Sequence, residues 1–250
     1  AGLAAFNMKI PVGHVEAGLR TYNLSSPFPE ELNRKLVGTF SRFNFAPTDK
    51  AKSNLLNEGI SPESVYITGN TVVDALEYIR RKESLSIPDS LSEIVKNPYV
   101  LVTAHRRESF GEGFIRICRA LREAAQKHPD YHFIYPVHLN PNVREPVEKY
   151  LNDLPNFKLI QPVSYLEVLA LISNCEFCVT DSGGIQEEAP SFNKFTIVLR
   201  DYTERTESID EGTSQLVGTD EKMIIQAIDE QISEQRNQRA KMINPFGDGK

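Results

Sequence analysis

Short apolar runs with the composition of β-strands alternate with helical patterns along almost the whole chain. The predicted strands are Pro11–Glu16, Phe43–Ala46, Val65–Thr68, Tyr99–Thr103, His132–Pro136, Phe157–Ile160, Phe177–Thr180, Thr196–Leu199 and Gln215–Val217. The predicted helices, in which apolar residues recur every three or four positions, are Glu30–Ser41, Asp49–Glu58, Thr71–Arg81, Glu112–Lys127, Pro141–Leu151, Tyr165–Ser173, Gly184–Ser191 and Asp220–Arg236. Such alternation is typical of parallel strands joined by right-handed helical crossovers. The pattern therefore predicts an α/β fold.

The segment from residue 80 to 98 interrupts this rhythm, because it is polar, contains two prolines and lacks a strong strand pattern. We interpret residues 80–98 as a linker between two Rossmann-like lobes. Residues 1–79 are then the C-terminal part of the N-terminal lobe, and residues 99–250 form the C-terminal lobe, in which we expect the ligand. Three strand candidates are few for a doubly wound sheet, so we expect the first lobe to be incomplete.

The chain has 250 residues, of which 40% are hydrophobic and 25% charged, and its formal net charge is −6. This composition is that of ordinary globular proteins, and the acidic balance argues against a nucleic acid partner. The apolar stretches are too short to cross a bilayer, and no stretch has the pattern of a signal peptide. Three cysteines form an odd and sparse set, which is typical of a reducing compartment. We therefore expect a cytoplasmic protein with neither membrane nor nucleic acid among its partners.

Ser182, Gly183 and Gly184 directly follow an apolar strand candidate and open a predicted helix. Ligands of open α/β sheets gather at the carboxyl ends of strands, and the amides of a helix N-terminus attract phosphate. The glycines let a phosphate approach the backbone, and the Ser182 hydroxyl adds a donor. Glu188 lies about one helical turn further on, within reach of a sugar hydroxyl of the same ligand. The sequence favours this phosphate site over the alternative, a tight turn with an N-cap.

His105 and Arg106 occupy the equivalent place after the strand candidate Tyr99–Thr103. Imidazole and guanidinium groups at this edge can neutralise a diphosphate and stabilise it as a leaving group. The alternative is a surface cluster in which an arginine pairs with Glu108, and such pairs contribute little free energy. His138 follows the next strand candidate in the same way. A lone histidine there is structural about as often as functional, so both interpretations stay open.

Glu16 ends a strand candidate of the first lobe, and Glu30 begins the first predicted helix of that lobe. Acidic residues are common in a first helical turn for electrostatic reasons alone, so Glu30 by itself is a weak candidate. Two carboxylates presented by one lobe towards a phosphate site on the other suit proton transfer at a sugar carbon or hydroxyl. Arg205 follows another strand candidate and is expected on the same rim. A ligand-binding arginine and a solvated loop are equally open interpretations there.

Cys175 and Cys178 form a CxxC pair in an apolar segment without a second pair or clustered histidines. We interpret them as buried small hydrophobic residues rather than as a zinc or redox site. The chain has no P-loop lysine motif, no GxGxxG and no GxSxG. We therefore expect no metal, nicotinamide or flavin cofactor.

Several motifs together resemble the non-hydrolysing bacterial UDP-N-acetylglucosamine 2-epimerases. In the family's order and spacing, they are GHVEAGLRT (13–21), PFPEELNR (27–34), ITGNTVVDAL (67–76), TAHRRESFG (103–111), YPVHLNPNVREPV (135–147), TDSGGIQEEAPS (180–191), LRDYTER (199–205) and NPFGDGK (244–250). The resemblance implies two Rossmann-like lobes in the GT-B arrangement, a homodimer and no redox cofactor. It also implies interconversion of UDP-N-acetylglucosamine and UDP-N-acetylmannosamine for surface polysaccharide synthesis, through elimination of UDP to a 2-acetamidoglucal and its re-addition after protonation on the other face.

The same resemblance assigns roles to residues. It implies catalytic groups at Glu16, Glu30 and His105, and UDP-sugar binding by Ser182, Gly183, Gly184, Glu188 and Arg205. Arg106 and His138 resemble positions near the site where bacterial members also bind UDP-N-acetylglucosamine as an allosteric activator, or else contact the diphosphate.

The chain departs from the family at both ends. The family's glycine-containing loop with an arginine, its catalytic aspartate in a Gly-Asp-Thr turn and its terminal helix have no counterpart here. We therefore expect a fragment that by itself is inactive or very weak. The alternatives are a hydrolysing 2-epimerase that releases free N-acetylmannosamine, a GT-B glycosyltransferase that needs an acceptor, and a non-catalytic nucleotide-sugar binding module.

Overall fold

The computed structural model describes residues 1–83, 85–87, 89–235 and 242–249. Contacts divide the chain into two compact units. Unit 1 consists of Ala1–Arg81, Tyr202–Glu207 and the chain end from Asn244, and unit 2 consists of Lys82–Asp201 and Ser208–Ile243. Each unit contains a parallel sheet, which confirms the α/β fold class predicted from the alternation of strands and helices.

Unit 1 is built on a three-stranded parallel sheet in the order β1–β2–β3. Its elements are α1 (Gly2–Asn7), β1 (Gly13–Val15), α2 (Glu30–Phe40), β2 (Phe43–Ala46), α3 (Asp49–Asn57), β3 (Val65–Ile67) and α4 (Thr71–Lys82). Gly13 lies opposite Phe43 in the first strand pair, and Asn44 lies opposite Val65 in the second.

Unit 2 is built on a six-stranded sheet, and all its strand pairs are parallel. The elements that follow α4 are β4 (Tyr99–Thr103), α5 (Glu112–Lys127), β5 (His132–Pro136), α6 (Pro141–Leu151), β6 (Phe157–Ile160), α7 (Tyr165–Asn174), β7 (Phe177–Thr180), α8 (Gly183–Glu188), β8 (Phe195–Val198), α9 (Thr206–Asp210), β9 (Ser214–Leu216) and α10 (Glu221–Gln235). The predicted helix Asp220–Arg236 therefore matches α10, except that Arg236 lies outside the described residues.

The strand order of the second sheet is β6–β5–β4–β7–β8–β9. Numbered within the sheet, this is the order 3-2-1-4-5-6 of a doubly wound dinucleotide-binding fold. The chain winds outwards from β4 in one direction and from β7 in the other. The order therefore reverses between β4 and β7, where such sheets bind their ligands.

Helix α5 shows how the apolar pattern produces this packing. The stripe predicted from the sequence, Phe114, Ile117, Cys118, Leu121, Ala124 and Ala125, is buried along its whole length. These side chains join a core cluster that includes strand residues such as Val100, Phe133 and Val179. Burial of that many large side chains is the dominant stabilising term of unit 2.

The core of unit 1 is much smaller. Its cluster of buried hydrophobic residues consists of Ala17, Ala46, Ala51, Leu55 and Val65. Side chains of the strands themselves remain exposed, among them Val15 at 54% and Tyr66 at 45%. Leu19, Val73, Leu76 and Phe246 are also buried in unit 1. Among the described residues, each unit therefore has its own hydrophobic core, and that of unit 1 contains fewer buried apolar side chains.

The units defined by contacts group three parts of the chain differently from the predicted lobes. The segments from Tyr202 and from Asn244 belong to unit 1, although both follow strands of the second sheet along the chain. Hydrogen bonds within unit 1 hold them there. The backbone N–H of Asn70 donates to the carbonyl oxygen of Phe246 at 2.9 Å, and Phe246 is fully buried. The predicted linker, in contrast, falls largely in unit 2, where Leu91 is buried.

Candidate active site

The carboxyl ends of β4 and β7 place the strongest sequence candidates next to each other. Thr103 and Thr180, the last residues of these strands, lie opposite each other, and their hydroxyl oxygens are 2.5 Å apart. His105 follows β4 by two residues, and Ser182 follows β7 by two residues. The structure therefore brings the predicted leaving-group cluster and the predicted phosphate loop together where the strand order reverses.

Asp181 links these two loops. Its Oδ2 accepts hydrogen bonds from the backbone N–H groups of His105 and Arg106, both at 2.7 Å. Its Oδ1 lies 3.6 Å from Nδ1 of His105 and has no hydrogen-bond partner within the described residues. Burial raises the pKa of the Asp181 carboxyl, although the nearby His105 and the two amide donors act in the opposite direction. Asp181 was not among the predicted site residues, despite its position between a buried strand and Ser-Gly-Gly.

The segment Ser182–Gly184 forms the start of α8. The Ser182 backbone N–H donates to Oγ1 of Thr180 at 2.9 Å, while the Ser182 hydroxyl makes no capping hydrogen bond. A Cβ atom at Gly184 would contact only Oγ of Ser182, at an ordinary 3.8 Å. Packing alone therefore does not require glycine at position 184. The Gly-Gly sequence keeps the first amides of the helix uncovered, as a bound phosphate would need.

Glu188 lies at the end of α8 with only 5% of its surface exposed. The Tyr165 hydroxyl donates a hydrogen bond to its Oε1 at 2.8 Å. Burial raises the pKa of the Glu188 carboxyl, and the hydrogen bond from Tyr165 opposes this change. Tyr165 is a contact that the sequence pattern did not reveal, because its partner is 23 positions away. The pair offers a carboxylate of fixed orientation.

His138 follows β5, the neighbour of β4 in the sheet. Its ring is stacked on that of His105, with centroids 5.5 Å apart and planes inclined by 12°. The backbone N–H of Asn140 donates to Nδ1 of His138 at 3.1 Å, so this nitrogen carries no proton. His138, His105 and the half-buried Arg106 thus form one group of nitrogen-rich side chains beside the phosphate loop.

The acidic candidates of unit 1 have different environments. Glu16 directly follows β1, is half-buried and has a left-handed backbone with φ of 58°. Non-glycine residues in this conformation carry strain, which is common at functional sites. Glu30 is exposed as the first residue of α2. Neither carboxylate has a hydrogen bond or ion pair to another residue in the described part of unit 1.

By its contacts, Arg205 belongs to unit 1, and its predicted place on the rim of the second sheet stays a prediction. It is buried, with 7% exposure, and its guanidinium is paired with the Glu204 carboxylate. Glu204 also lies 3.3 Å from Nη2 of Arg34. The interpretation of a solvated loop at Arg205 is therefore wrong, and a ligand-binding role for this side chain stays a prediction.

Cys175 and Cys178 are fully buried, with their sulfur atoms 3.7 Å apart. The hydrogen-bonding contact with Cys175, and then burial, raise the pKa of the Cys178 thiol. The interpretation of the pair as buried small hydrophobic residues is confirmed. Across the described ranges, no cluster of three histidine, cysteine, aspartate or glutamate side chains is arranged to hold a metal ion.

The described helices include none that is both long and apolar enough to span a bilayer.

Comparison with known proteins gives a consistent result. The family model described as UDP-N-acetylglucosamine 2-epimerase matches residues 1–250. UDP-N-acetylglucosamine 2-epimerase of Escherichia coli strain K12 is 48% identical over 257 residues, which cover 99% of this chain and 68% of the relative. The Yersinia pestis protein of the same name is 47% identical over 259 residues, covering 100% of this chain and 69% of the relative.

Solved structures agree in fold as well as sequence. UDP-GlcNAc 2-epimerase from Neisseria meningitidis, bound to UDP-GlcNAc, superposes with a TM-score of 0.89 at 44% identity and covers 100% of this chain and 69% of that one. S. aureus MnaA with UDP superposes with a TM-score of 0.93 at 43% identity, over 99% of this chain and 66% of that one. The chain thus spans about two thirds of the length of these relatives. It belongs to the UDP-N-acetylglucosamine 2-epimerase family.

Proposed function

We propose that the protein interconverts UDP-N-acetylglucosamine and UDP-N-acetylmannosamine by inverting C2 of the sugar. The observation that carries this proposal is the match of the family model to the whole chain. The Neisseria meningitidis relative, whose structure is bound to UDP-GlcNAc, supports the choice of substrate. The reaction supplies UDP-N-acetylmannosamine for surface polysaccharide synthesis.

Unit 2 supplies the groups for UDP. The first amides of α8 and the Ser182 hydroxyl receive the diphosphate, as helix N-termini do in other nucleotide-binding sheets. Asp181 holds the backbone amides of His105 and Arg106 beside this loop, where Arg106 adds positive charge and His105 adds an imidazole. Glu188, oriented by Tyr165, accepts from the ribose hydroxyls. His138 extends the same group of side chains towards the diphosphate or a second, activating nucleotide sugar.

The proposed reaction has two stages, elimination of UDP and its re-addition, and both depend on stabilising the negative charge of UDP. A carboxylate removes the proton from C2, the C1–O bond to UDP breaks, and a C1=C2 double bond forms in a 2-acetamidoglucal. The electron pair of the broken bond leaves with UDP, whose developing negative charge the amides and cationic side chains stabilise. Re-addition reverses these steps after a proton has reached C2 from the opposite face. No electrons are gained or lost overall, so the reaction needs no redox cofactor.

Glu16 and Glu30 are the carboxylates that we propose for proton transfer. Neither is used to hold unit 1 together within the described residues, in contrast to its buried carboxylates. The strained backbone at Glu16 supports this role, because strain persists where function selects for it. Arg205 is the ligand-binding arginine of the same proposal, with Glu204 holding its guanidinium in place.

The nucleotide site is tested by calorimetry with UDP on the 250-residue chain. Gly184→Ala should fold normally, because the added Cβ makes only an ordinary contact, but it should weaken UDP binding about tenfold by covering the first amides. Gly113→Ala is the matched control, since Gly113 also has only ordinary neighbours and lies in the first turn of α5, which is not part of the phosphate loop. Equal UDP affinity in all three proteins would contradict the assignment of the loop.

The reaction is tested with UDP-N-acetylglucosamine in deuterated water, on the chain and on the full gene product, followed by proton NMR. We expect the full gene product to yield UDP-N-acetylmannosamine that carries deuterium at C2. Free N-acetylmannosamine would indicate the hydrolysing alternative, and UDP released only with an added acceptor would indicate a glycosyltransferase. Binding of UDP without exchange at C2 in either protein would leave a nucleotide-sugar binding module and overturn the proposal.

Two further parts of the proposal concern the setting of the enzyme. We propose a homodimer and a cytoplasmic location, which the family resemblance and the free, buried cysteines support. Light scattering after size-exclusion chromatography should give twice the mass of one chain. A mass of one chain at all concentrations would contradict the dimer.

A further inference from the structure

Asp181 lies in the loop after β7, and its side chain accepts hydrogen bonds from the backbone of the loop after β4. It precedes the phosphate loop directly, and its Oδ2 holds the two amides that follow β4 at 2.7 Å each. The side chain is completely buried, and its second oxygen has no hydrogen-bond partner in the described part of the chain. An unpaired buried carboxylate oxygen costs free energy, so a donor for it is expected nearby.

The nearest candidate donor is the imidazole of His105. Its Nδ1 lies 3.6 Å from the unpaired Oδ1, slightly beyond hydrogen-bond distance. The His105 side chain is 43% exposed, so the ring has room to close this gap. Catalytic hydrogen bonds are often long in the absence of ligand and shorten when it binds.

We infer that Asp181 is a positioning residue, which fixes the His105 ring with a hydrogen on Nδ1 and leaves Nε2 as the nitrogen directed at the ligand. The bond made by one ring nitrogen of a neutral histidine decides which nitrogen carries the hydrogen. For the reaction, this inference rests on the proposed function of the site. Asp181 then acts through His105 and does not itself touch the substrate.

The other groups near this pair are compatible with that assignment. The Tyr135 hydroxyl, which faces Asp181, donates its hydrogen to the carbonyl oxygen of Ala104 and is therefore occupied. Arg106 contributes its backbone N–H and a positive charge that favours the anionic form of Asp181. His138 is stacked on the His105 ring, so it limits the ring's rotation without competing for Oδ1.

The test is a long-range proton–nitrogen NMR spectrum of the 250-residue chain with nitrogen-15 histidine. The pH is set about two units above the ordinary imidazole value of roughly 6.5, so that neutral rings dominate. We expect the wild-type His105 to carry its hydrogen on Nδ1, and His138, whose Nδ1 accepts from Asn140, to show the opposite tautomer in the same spectrum. His105→Gln identifies the His105 signals.

Asp181→Asn should reverse the tautomer of His105. The asparagine oxygen can still accept from the two backbone amides, which preserves the loop, but its NH₂ group now points a donor at Nδ1. Asp229→Asn is the matched control, because Asp229 pairs with His128 at 2.6 Å elsewhere in unit 2. It should change the His128 signals and leave those of His105 unchanged.

The wild-type spectrum alone can overturn the inference, even if Asp181→Asn fails to fold. A hydrogen on Nε2 of His105 in the wild type, or an unchanged tautomer in a folded Asp181→Asn, would reduce Asp181 to a scaffold for the backbone. Either result would leave the proposed epimerase function intact.

The kinetic consequence is measured in the full gene product. Asp181→Asn should lower kcat roughly 100-fold, the scale of a lost general acid or base, while UDP affinity changes by less than about threefold. A loss of UDP affinity equal to the loss of kcat would contradict the inference. If the wild-type product shows no epimerisation at all, the proposed function fails, and the tautomer result still stands on its own.

Discussion

Glu30 and Glu31 are neighbours in sequence with different surroundings. Glu31 is fully buried, and its two carboxylate oxygens accept hydrogen bonds from the backbone N–H groups of Thr21 and Tyr22 at 3.0 and 2.9 Å. Glu30 is exposed. One carboxylate therefore holds the loop that precedes α2, and the other is available for chemistry.

The two glutamates should respond differently to the same change. Glu31→Gln replaces one acceptor oxygen with an NH₂ group that faces a backbone donor, so it should lower the free energy of unfolding by about 1–3 kcal/mol. Glu30→Gln should change that free energy by less than about 0.5 kcal/mol, as is usual for surface substitutions. In the full gene product, the same change should abolish deuterium exchange at C2 of the nucleotide sugar. Urea denaturation measures the first difference. Equal destabilisation by the two variants would contradict the structural role of Glu31.

His14 makes the stability of unit 1 depend on pH. Burial, with Arg20 and Arg34 nearby, lowers the pKa of His14 from 6.5 to about 4. Between these values the unfolded chain binds a proton that the native state does not, so the free energy of unfolding falls as the pH decreases. Wild type should lose stability more steeply than His14→Gln from pH 6.5 to 4, measured by urea denaturation. Parallel curves for the two proteins would exclude His14 as the cause.

At the scale of single residues, the sequence showed which polar residues follow buried strands, but not which distant side chains contact them. His105 and Ser182 could be selected because each follows a buried strand, and strand ends are visible in the apolar pattern. The hydrogen bonds that Asp181 accepts from His105 and Arg106 could not be predicted, since these residues are 76 and 75 positions away from it in the sequence. The grouping of Arg205 with unit 1 could not be predicted either, because its partner Glu204 pairs with Arg34, 170 positions away.

At the scale of elements, prediction succeeded where many apolar residues set the period. Helix α5 has its predicted bounds, and β4, β5, β6 and β7 do as well. Short elements were less exact: the predicted strand Pro11–Glu16 is observed only from Gly13 to Val15. The ladder to β2 stops there because Glu16 turns into a left-handed conformation, which a pattern of hydrophobicity does not encode.

Gly18 sets how closely the turn after β1 approaches α3. Its φ is 88°, and a Cβ there would lie 2.0 Å from the backbone oxygen of Ala51. Gly59, which follows α3, has a similar φ of 84° with nothing within 4 Å. Gly59→Ala should therefore lower the free energy of unfolding only by the strain of a left-handed alanine, about 1–2 kcal/mol. Gly18→Ala adds a steric clash and should lower it by roughly 3 kcal/mol or more.

Thermal and urea unfolding of both variants measure these costs. The difference between them isolates the steric contact, because the backbone strain is common to the two sites. Equal costs would show that the turn can move away from α3.

At the scale of the whole molecule, the two units are unequally stabilised. Unit 2 buries large side chains along a six-stranded sheet, whereas the core cluster described for unit 1 contains three alanines, one leucine and one valine, and four further apolar residues of that unit are buried: Leu19, Val73, Leu76 and Phe246. Apolar burial is the main source of stability, and local opening follows the regions that have least of it. Unit 1 is also assembled from three chain segments, which the order of elements in the sequence could not predict.

Hydrogen exchange should reveal this inequality. Amides of β2 should exchange at least about tenfold faster than those of β4 and β7, since a difference of 1.4 kcal/mol in opening free energy suffices for that ratio. Mass spectrometry of peptic peptides measures both in one experiment. Equal protection of the two sheets would mean that the units open together.

All three sulfhydryl groups of the chain, at Cys118, Cys175 and Cys178, are completely enclosed in unit 2. A thiol-reactive dye therefore reacts only when unit 2 opens, and opening of unit 1 alone exposes none of these thiols. The rate of dye uptake thus reports how often unit 2 opens, and UDP that binds to unit 2, as we propose, should slow this uptake without any engineered label.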